Sequence, residues 1–114
     1  MILANKLFVS SDFFILTSLW EPCGLTDFEA QIAGSLPIVH KTGGLQKVIN
    51  NVTGFVYDDF DKLCDILLKC EDLYYSSPIN IEQIKKKAYM LIRDNYTWEK
   101  VVENRYIPLF KGMD

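Results

Sequence analysis

The chain has 114 residues, of which 49% are hydrophobic, 13% aromatic and 24% charged, and its formal net charge is −3. This composition is typical of one small, soluble globular domain and excludes a disordered or low-complexity chain. The length is too small for a large two-domain enzyme, and the slight acidic excess gives no reason to expect a nucleic-acid partner.

Three features of the sequence bear on where the protein works. The longest apolar run, residues 13–20, is far shorter than the roughly 20 residues that span a bilayer. The first residues lack the basic start and apolar core of a signal peptide. Cys23, Cys64 and Cys70 have neither metal-ligand spacing nor the even count of a disulfide framework. We therefore expect a cytoplasmic protein with no membrane partner, no metal and no disulfide.

The first half of the chain alternates short apolar runs with helical patterns. After a helix end at residues 4–10, the runs predict strands at residues 13–17, 36–40 and 54–57 and helices at 26–33 and 45–49. Strand, helix, strand, helix, strand at this spacing indicates right-handed crossovers and a parallel sheet. The predicted fold class is therefore α/β, with about three parallel strands followed by C-terminal helices.

The second half reads as helical and is expected to pack against the sheet. A stripe of Phe60, Leu63, Cys64, Leu67, Cys70 and Tyr74 predicts an inward helix face over residues 61–75. Asn80 and Gln83 form a capping-box pattern that opens the next helix, whose stripe is Ile81, Ile84, Ala88, Leu91 and Ile92. A last helix begins at Thr97 and is limited by Pro108, with Trp98, Val101, Val102 and Arg105 facing inward or amphipathic.

The loop between the first strand and its helix, residues 20–25, carries the strongest chemical signal and is called the first glycine loop. Pro22 and Gly24 break regular structure, and Gly24 allows the backbone to approach a ligand closely. The amides that follow lie at a helix start and favour an anion. The carboxylates of Glu21 and Glu29 flank these amides with seven residues between them, so the ligand must offer hydroxyl groups as well. A nucleotide sugar offers both phosphates and hydroxyls.

In these residues and in two later runs, the chain resembles bacterial glycogen synthases and plant starch synthases, which are retaining glucosyltransferases with two facing Rossmann-like domains (GT-B). The resemblance rests on three runs: Glu21-Pro22-Cys23-Gly24-Leu25-Thr26, Pro37-Ile38-Val39 and Thr42-Gly43-Gly44-Leu45. It implies that residues 1–114 are the C-terminal portion of a nucleotide-sugar-binding, Rossmann-like domain. An N-terminal domain of the same protein would complete the enzyme, and the chain by itself would be inactive.

The resemblance also implies the ligands and the site. The donor would be ADP-glucose or UDP-glucose and the acceptor an α-glucan, with no cofactor and no metal, in the cytoplasm or, in a plant-like protein, the plastid. Glu21 would be the catalytic residue, holding hydroxyls of the transferred glucose. The implied substrate-binding residues are Glu21, Cys23, Gly24, Leu25, Thr26, Glu29, Thr42, Gly43 and Gly44.

Several roles stay open at this point. Glu29 either binds the ribose or serves as an acid on the helix dipole, and Thr26 either reaches a phosphate or caps its helix. His40 stands where relatives often have Arg, and a structural role is favoured for it. The second glycine loop, residues 42–44, follows the second strand, so both glycine loops should meet at one crevice beyond the carboxyl ends of the strands.

Two other functions also remain open. One is a stand-alone nucleotide-sugar-binding or regulatory module without turnover. The other is part of a different retaining GT-B enzyme, such as a relative of sucrose or trehalose-phosphate synthases, which Glu29 favours and residues 23–26 oppose.

Overall fold

The computed structural model describes residues 2–112 and shows three parallel strands in one sheet. β1 is Phe13–Leu16, β2 is Leu36–His40 and β3 is Phe55–Tyr57, in the spatial order β1-β2-β3. The central strand β2 is apolar and buried up to its last residue, as a parallel strand covered on both faces requires. The predicted α/β class with a partial, Rossmann-like parallel sheet is confirmed.

Within the described residues, each outer strand pairs on one side only. β1 joins β2 with Phe13 opposite Leu36, and its other edge leaves Ile15 44% exposed. On the outer edge of β3, the N–H of Val56 donates to Asn50 Oδ1 at 3.0 Å. This bond occupies a backbone donor that a further strand would otherwise use.

Helical segments occupy most of the remaining chain. The α-helices are α1 (Ile2–Ser10), α2 (Thr26–Ile32), α3 (Leu63–Ser76), α4 (Pro78–Asn95), α5 (Trp98–Val101) and α6 (Ile107–Lys111). Two 3-10 helices span Gly43–Lys47 and Phe60–Lys62, and a π-helical turn spans Val102–Tyr106. The connection from β1 to β2 runs through α2, and that from β2 to β3 runs through the 3-10 helix Gly43–Lys47.

The sheet separates two apolar layers. One layer joins the sheet to α3 and α4 and consists of Leu36, Ile38, Phe55, Tyr57, Cys70, Ile81 and Ile84. The other layer joins the sheet to the 3-10 helix after β2 and consists of Val39, Leu45 and Val48. The second layer lies directly beneath the two glycine loops, so the loops rest on a packed base.

The predicted inward face of α3 is partly wrong. Cys70 is buried, but Cys64 and Leu67 are exposed, and Ile66 and Leu73 pack against the core instead. Both sets of residues recur at helical spacing because this helix is apolar on two sides. Contact with β3 selects the face that is buried, and periodicity alone could not select it.

The start of α4 also differs from the prediction. The helix begins at Pro78, whose fixed φ and missing N–H suit the first turn, so the predicted capping box at Asn80 does not open the helix. Its inward stripe is confirmed, since Ile81, Ile84 and Ala88 are buried.

The C-terminal helices depart furthest from expectation. Thr97 caps α5 as its position suggests, accepting from the N–H of Lys100 at 3.3 Å. The inward orientation predicted for this segment is wrong: Trp98 is 81% exposed, and no residue of α5, the π-helical turn or α6 is buried. Pro108 does not end the helix, because it lies in the first turn of α6 after the π-helical turn, where a missing N–H costs little.

Among residues 2–112, no helix is long and apolar enough to cross a membrane.

Candidate functional site

The two glycine loops lie against each other at the carboxyl ends of β1 and β2. The N–H of Gly44 donates to the carbonyl oxygen of Glu21 at 2.7 Å. A Cβ added to Gly43 would overlap with the carbonyl of Glu21, and one added to Gly44 would overlap with the carbonyl of Cys23. Both glycines are therefore required for the approach of the two loops, and the predicted convergence of the loops is seen.

Glu21 lies at the junction of the loops and is half-buried. Its Oε1 accepts from the N–H of Gly24 at 3.1 Å and from that of Cys23 at the longer distance of 3.4 Å. Among residues 2–112, no group donates to its Oε2. The loop thus fixes the carboxylate through one oxygen and leaves the other available to a ligand.

Gly24 is also required by the packing within the protein. Its φ is +73°, and a Cβ at this position would lie 2.6 Å from Leu45 Cδ2. The missing side chain therefore makes room for the buried Leu45. The left-handed φ is the second reason for glycine here.

The helix start contributes exposed groups without side-chain caps. Leu25 is the N-cap residue of α2 in αR conformation, it is 64% exposed, and no side chain caps this end of the helix. Thr26 is exposed and is the first residue of α2, so the capping role considered for its hydroxyl is not realised. Cys23 is exposed as a free thiol.

A buried ion pair beneath the loops was missed by the sequence reasoning. Asp27 is fully buried, and its Oδ1 lies 3.3 Å from the Nζ of Lys47, at ion-pair distance but outside hydrogen-bond geometry. Burial raises the pKa of the Asp27 carboxyl, and the opposing effects of Lys47 and the nearby backbone amides do not cancel it. The only sequence signal was an acid at a helix start and a Lys just after the second glycine loop.

Two side chains at the end of β2 and in the second glycine loop hold the chain leading into the first glycine loop. Thr42 Oγ1 donates to the carbonyl of Leu19 at 3.2 Å. His40 Nδ1 donates to the carbonyl of Ser18 at 2.8 Å, and its ring stacks on Tyr57 with centroids 5.4 Å apart. These contacts are those of the structural histidine that the sequence favoured.

Glu29 lies apart from this cluster. It is exposed, and it lines a groove of about 260 Å³ between α1 and α2 together with Asn5, Phe8, Val9, Ile32 and Ala33. Neither glycine loop contributes to this groove. The structure therefore brings together the predicted residues from Glu21 to Thr26 and from Thr42 to Gly44, and places Glu29 on another side of α2.

A larger cavity, of about 580 Å³, lies beside β3 rather than at the junction of the loops. Its lining includes Lys41, Asp58 and Lys62. The last two form a surface ion pair at 3.2 Å. In the part of the chain that the structure describes, no group of three or more His, Cys, Asp or Glu could hold a metal.

Known proteins are similar to this chain in sequence. The profile of the family described as "Glycosyl transferases group 1" matches residues 4–90. A glycogen synthase of Bacillus cereus is 32% identical over 97% of this chain and 24% of its own length. A glycogen synthase of Pseudomonas fluorescens is 49% identical over 57 residues, 49% of this chain and 11% of that protein.

Solved structures agree with the fold. The catalytic domain of starch synthase IV from Arabidopsis thaliana, bound to ADP and acarbose, superposes with a TM-score of 0.77 at 25% identity, over 97% of this chain and 24% of that one. Anabaena HepE in complex with UDP-glucose shares the fold with a TM-score of 0.73 at 22% identity, over 97% and 30% of the two chains.

The fold and the matched motifs define a glycosyltransferase domain. The chain belongs to the group 1 glycosyltransferase family, and the resemblance to glycogen and starch synthases is confirmed. It spans about a quarter of the length of the curated relatives that it matches.

Proposed function

We propose that this chain supplies donor-binding residues of a retaining glucosyltransferase of the glycogen or starch synthase type. The reaction would transfer glucose from ADP-glucose or UDP-glucose to an α-1,4-glucan. The observation that carries the proposal is the contact between the glycine loops, which brings the Glu21 carboxylate and the amides of the first loop to one point at the carboxyl ends of β1 and β2. Ligands of open parallel sheets bind outside this edge.

The proposed architecture is GT-B, with residues 1–114 as the C-terminal portion of the donor-binding domain and an N-terminal domain of the same protein across the cleft. Support comes from the glycogen synthases among the relatives and from the starch synthase IV structure bound to ADP and acarbose. In this arrangement the chain forms one wall of the active site.

The chemistry assigns Glu21 the central role. Transfer breaks the bond between C1 of glucose and the β-phosphate oxygen, and it forms a bond from C1 to a glucan hydroxyl oxygen, whose proton leaves with the nucleoside diphosphate. With Oε1 held by the loop amides, Oε2 of Glu21 accepts from a glucose hydroxyl and fixes the ring as charge develops at C1. No step of this scheme draws on a metal or a cofactor.

The diphosphate is assigned to the amides of Leu25 and Thr26, while the amide of Gly24 holds Oε1 of Glu21. Thr42, Gly43 and Gly44 support the first glycine loop from behind, and Cys23 contributes backbone and small size. For Glu29, a contact with the ribose and a role on the helix dipole are both proposed. Its place in the groove beside α1 favours the dipole role.

Titration of the ¹⁵N-labelled chain with ADP, ADP-glucose, UDP-glucose and glucose, followed by amide shifts, tests the proposal. We expect ADP to move the Gly24 and Leu25 resonances and ADP-glucose to bind more tightly than ADP. Together with a glucan primer, the chain alone should release no ADP from ADP-glucose. Failure of all nucleotides to shift either glycine loop at millimolar concentration would overturn the proposed function.

Two variants separate the assigned roles within the same titration. Glu21→Gln keeps an oxygen for the loop amides but removes the charge, so it should weaken ADP-glucose by about tenfold and leave ADP unchanged, since a charged hydrogen bond contributes about 1.5–3 kcal/mol. If Glu29 binds the ribose, Glu29→Gln should weaken the binding of ADP and of ADP-glucose equally. If Glu29 instead acts on the helix dipole, the variant should change neither affinity. Donor binding that Glu21→Gln leaves unchanged would instead favour a stand-alone binding module.

A further inference from the structure

The ammonium of Lys47 lies at the centre of the site's supporting contacts. Lys47 ends the 3-10 helix that follows β2, and its side chain is only 14% exposed. Its Nζ lies 3.3 Å from Asp27 Oδ1 in the first turn of α2, and 4.2 Å from the centroid of the Phe28 ring. A fully buried carboxylate is costly unless a cation accompanies it, so Asp27 and Lys47 depend on each other.

The same ammonium also binds the backbone of the first glycine loop. Its Nζ donates to the carbonyl of Cys23 at 2.6 Å and to the carbonyl of Gly24. The ammonium thus makes hydrogen bonds to two carbonyls and an ion pair with one carboxylate. Lys47 therefore links three segments: the second glycine loop with its 3-10 helix, the first glycine loop, and α2.

Because Lys47 binds two carbonyls of the first glycine loop, the geometry of the peptide bond fixes the direction of the N–H groups of Gly24 and Leu25. The peptide bonds are trans, so each N–H points away from the carbonyl of the preceding residue. Because Lys47 binds the Cys23 carbonyl, the N–H of Gly24 points to the opposite side, where it donates to Glu21 Oε1 at 3.1 Å. The Gly24 carbonyl is also bound by Lys47, so the N–H of Leu25 points away from the ammonium too.

The backbone conformation supports the same conclusion. Gly24 has a left-handed φ of +73°, and Leu25 follows with φ −91° and ψ −28°. A left-handed residue next to a right-handed one turns successive N–H groups toward a common side, which is the geometry of an anion-binding nest.

We propose that Lys47 and Asp27 are positioning residues of the donor site: the ammonium, anchored by Asp27, holds the first glycine loop so that the Gly24 amide holds the Glu21 carboxylate and the Leu25 amide faces the donor diphosphate. This inference rests on the proposed function. Lys47 does not touch the donor, because it lies on the carbonyl side of the loop. Its removal should therefore weaken the binding of every ligand that carries the diphosphate, including ADP without the sugar.

The test compares nucleotide binding by the 114-residue chain and three variants. Lys47→Met removes the charge at similar length and should weaken the binding of ADP at least tenfold, and that of ADP-glucose at least as much, with altered Gly24 and Leu25 amide shifts. Lys47→Arg retains a cation for the two carbonyls and should restore most of the affinity. The matched control is Lys69→Met, because Lys69 also donates to a side-chain oxygen, Asn51 Oδ1 at 2.5 Å, and lies 5.8 Å from the Phe55 ring, in another part of the fold. It should bind both ligands within twofold of wild type.

The outcomes separate the inference from the function on which it rests. If wild type binds neither nucleotide, the proposed function fails and the inference fails with it. If wild type binds and folded Lys47→Met keeps its ADP affinity within twofold, the inference alone is overturned. A loss confined to ADP-glucose would also overturn it, since that pattern belongs to a sugar contact.

Should Lys47→Met fail to fold, Asp27→Asn decides the matter. The amide is nearly isosteric with the carboxylate and removes the costly buried charge, so this variant is expected to fold. It leaves Lys47 without its anchor and should weaken ADP at least threefold. An unchanged ADP affinity in folded Asp27→Asn would overturn the inference.

Discussion

At the junction of the glycine loops, one methyl group added to Gly44 would overlap with the backbone of Cys23, whereas in the C-terminal helices Trp98 is 81% exposed to solvent. The two regions do not differ simply in apolar content, since the C-terminal segment also exposes Leu109 and Phe110. They differ in how many contacts each residue must satisfy at once.

The loop junction combines close backbone approach with buried charge. Glu21 binds two loop amides while its own carbonyl accepts from Gly44, and Lys47 binds two loop carbonyls beside a buried Asp27. Such a network leaves few acceptable substitutions. The C-terminal helices make only local contacts and a limited contact with α4, so we expect them to tolerate change.

The largest effect should come from Gly44→Ala. The added Cβ overlaps with the backbone of Cys23 rather than with a flexible side chain, so the loops must separate, at a cost of about 3 kcal/mol or more. Urea unfolding followed by circular dichroism would measure the loss.

Two glycines outside the junction serve as controls for that measurement. Gly34 has a φ of +90° but open space around it, so Gly34→Ala should cost only the backbone strain, about 1–2 kcal/mol. Gly112 has neither a close neighbour nor a positive φ, so Gly112→Ala should be nearly neutral. Equal losses for Gly44→Ala and Gly34→Ala would show that loop contact is not the dominant constraint.

The sequence predicted this part of the molecule well because its signals are local and mutually consistent. Apolar runs of strand length, a Pro and three glycines specify three strands and two loops, and the rule for parallel sheets brings the loops together. It could not show that Gly43 and Gly44 contact the other loop. It also could not pair Asp27 with Lys47, because that contact depends on how α2 packs.

A smaller effect is expected in the pH dependence of stability. Burial raises the folded-state pKa of the Asp27 carboxyl above its usual 3.8, so the folded chain binds more protons than the unfolded chain between these two values. The contribution of Asp27 to stability is therefore fully present below pH 3.8 and is lost as the pH rises through the folded-state pKa. Asp27→Asn should remove this part of the pH dependence of stability. The unfolding free energy of the variant should therefore rise relative to that of wild type as the pH rises.

A carboxylate of opposite behaviour provides the control. The ammonium of Lys62 lowers the pKa of Asp58, so the contribution of that group is present above pH 3.8 and is lost as the pH falls. The unfolding free energy of Asp58→Asn should therefore rise relative to that of wild type as the pH falls. Parallel pH profiles for wild type and Asp27→Asn would contradict the buried-charge account.

The helices after β3 were predicted less well, for a physical reason. α3 is apolar on two sides and could be oriented only by its contact with the sheet. Pro108 was expected to end a helix, but the π-helical turn before it resets the hydrogen-bond pattern. In both cases the deciding interaction is outside the local pattern.

The smallest effect should be that of Trp98→Ala. Only about a fifth of the Trp98 surface is covered, and Ala forms helix more readily than Trp, which offsets part of the lost contact. The unfolding free energy should therefore change by less than about 1 kcal/mol. Ile81→Ala in α4 is the matched truncation in a helix that does pack: Ile81 is 3% exposed, and its loss should cost about 2–5 kcal/mol. Urea unfolding of both variants at one pH measures the two losses of unfolding free energy under the same conditions. A loss for Trp98→Ala as large as that for Ile81→Ala would mean that the indole is covered in solution, and the contrast between the two regions would then have to be abandoned.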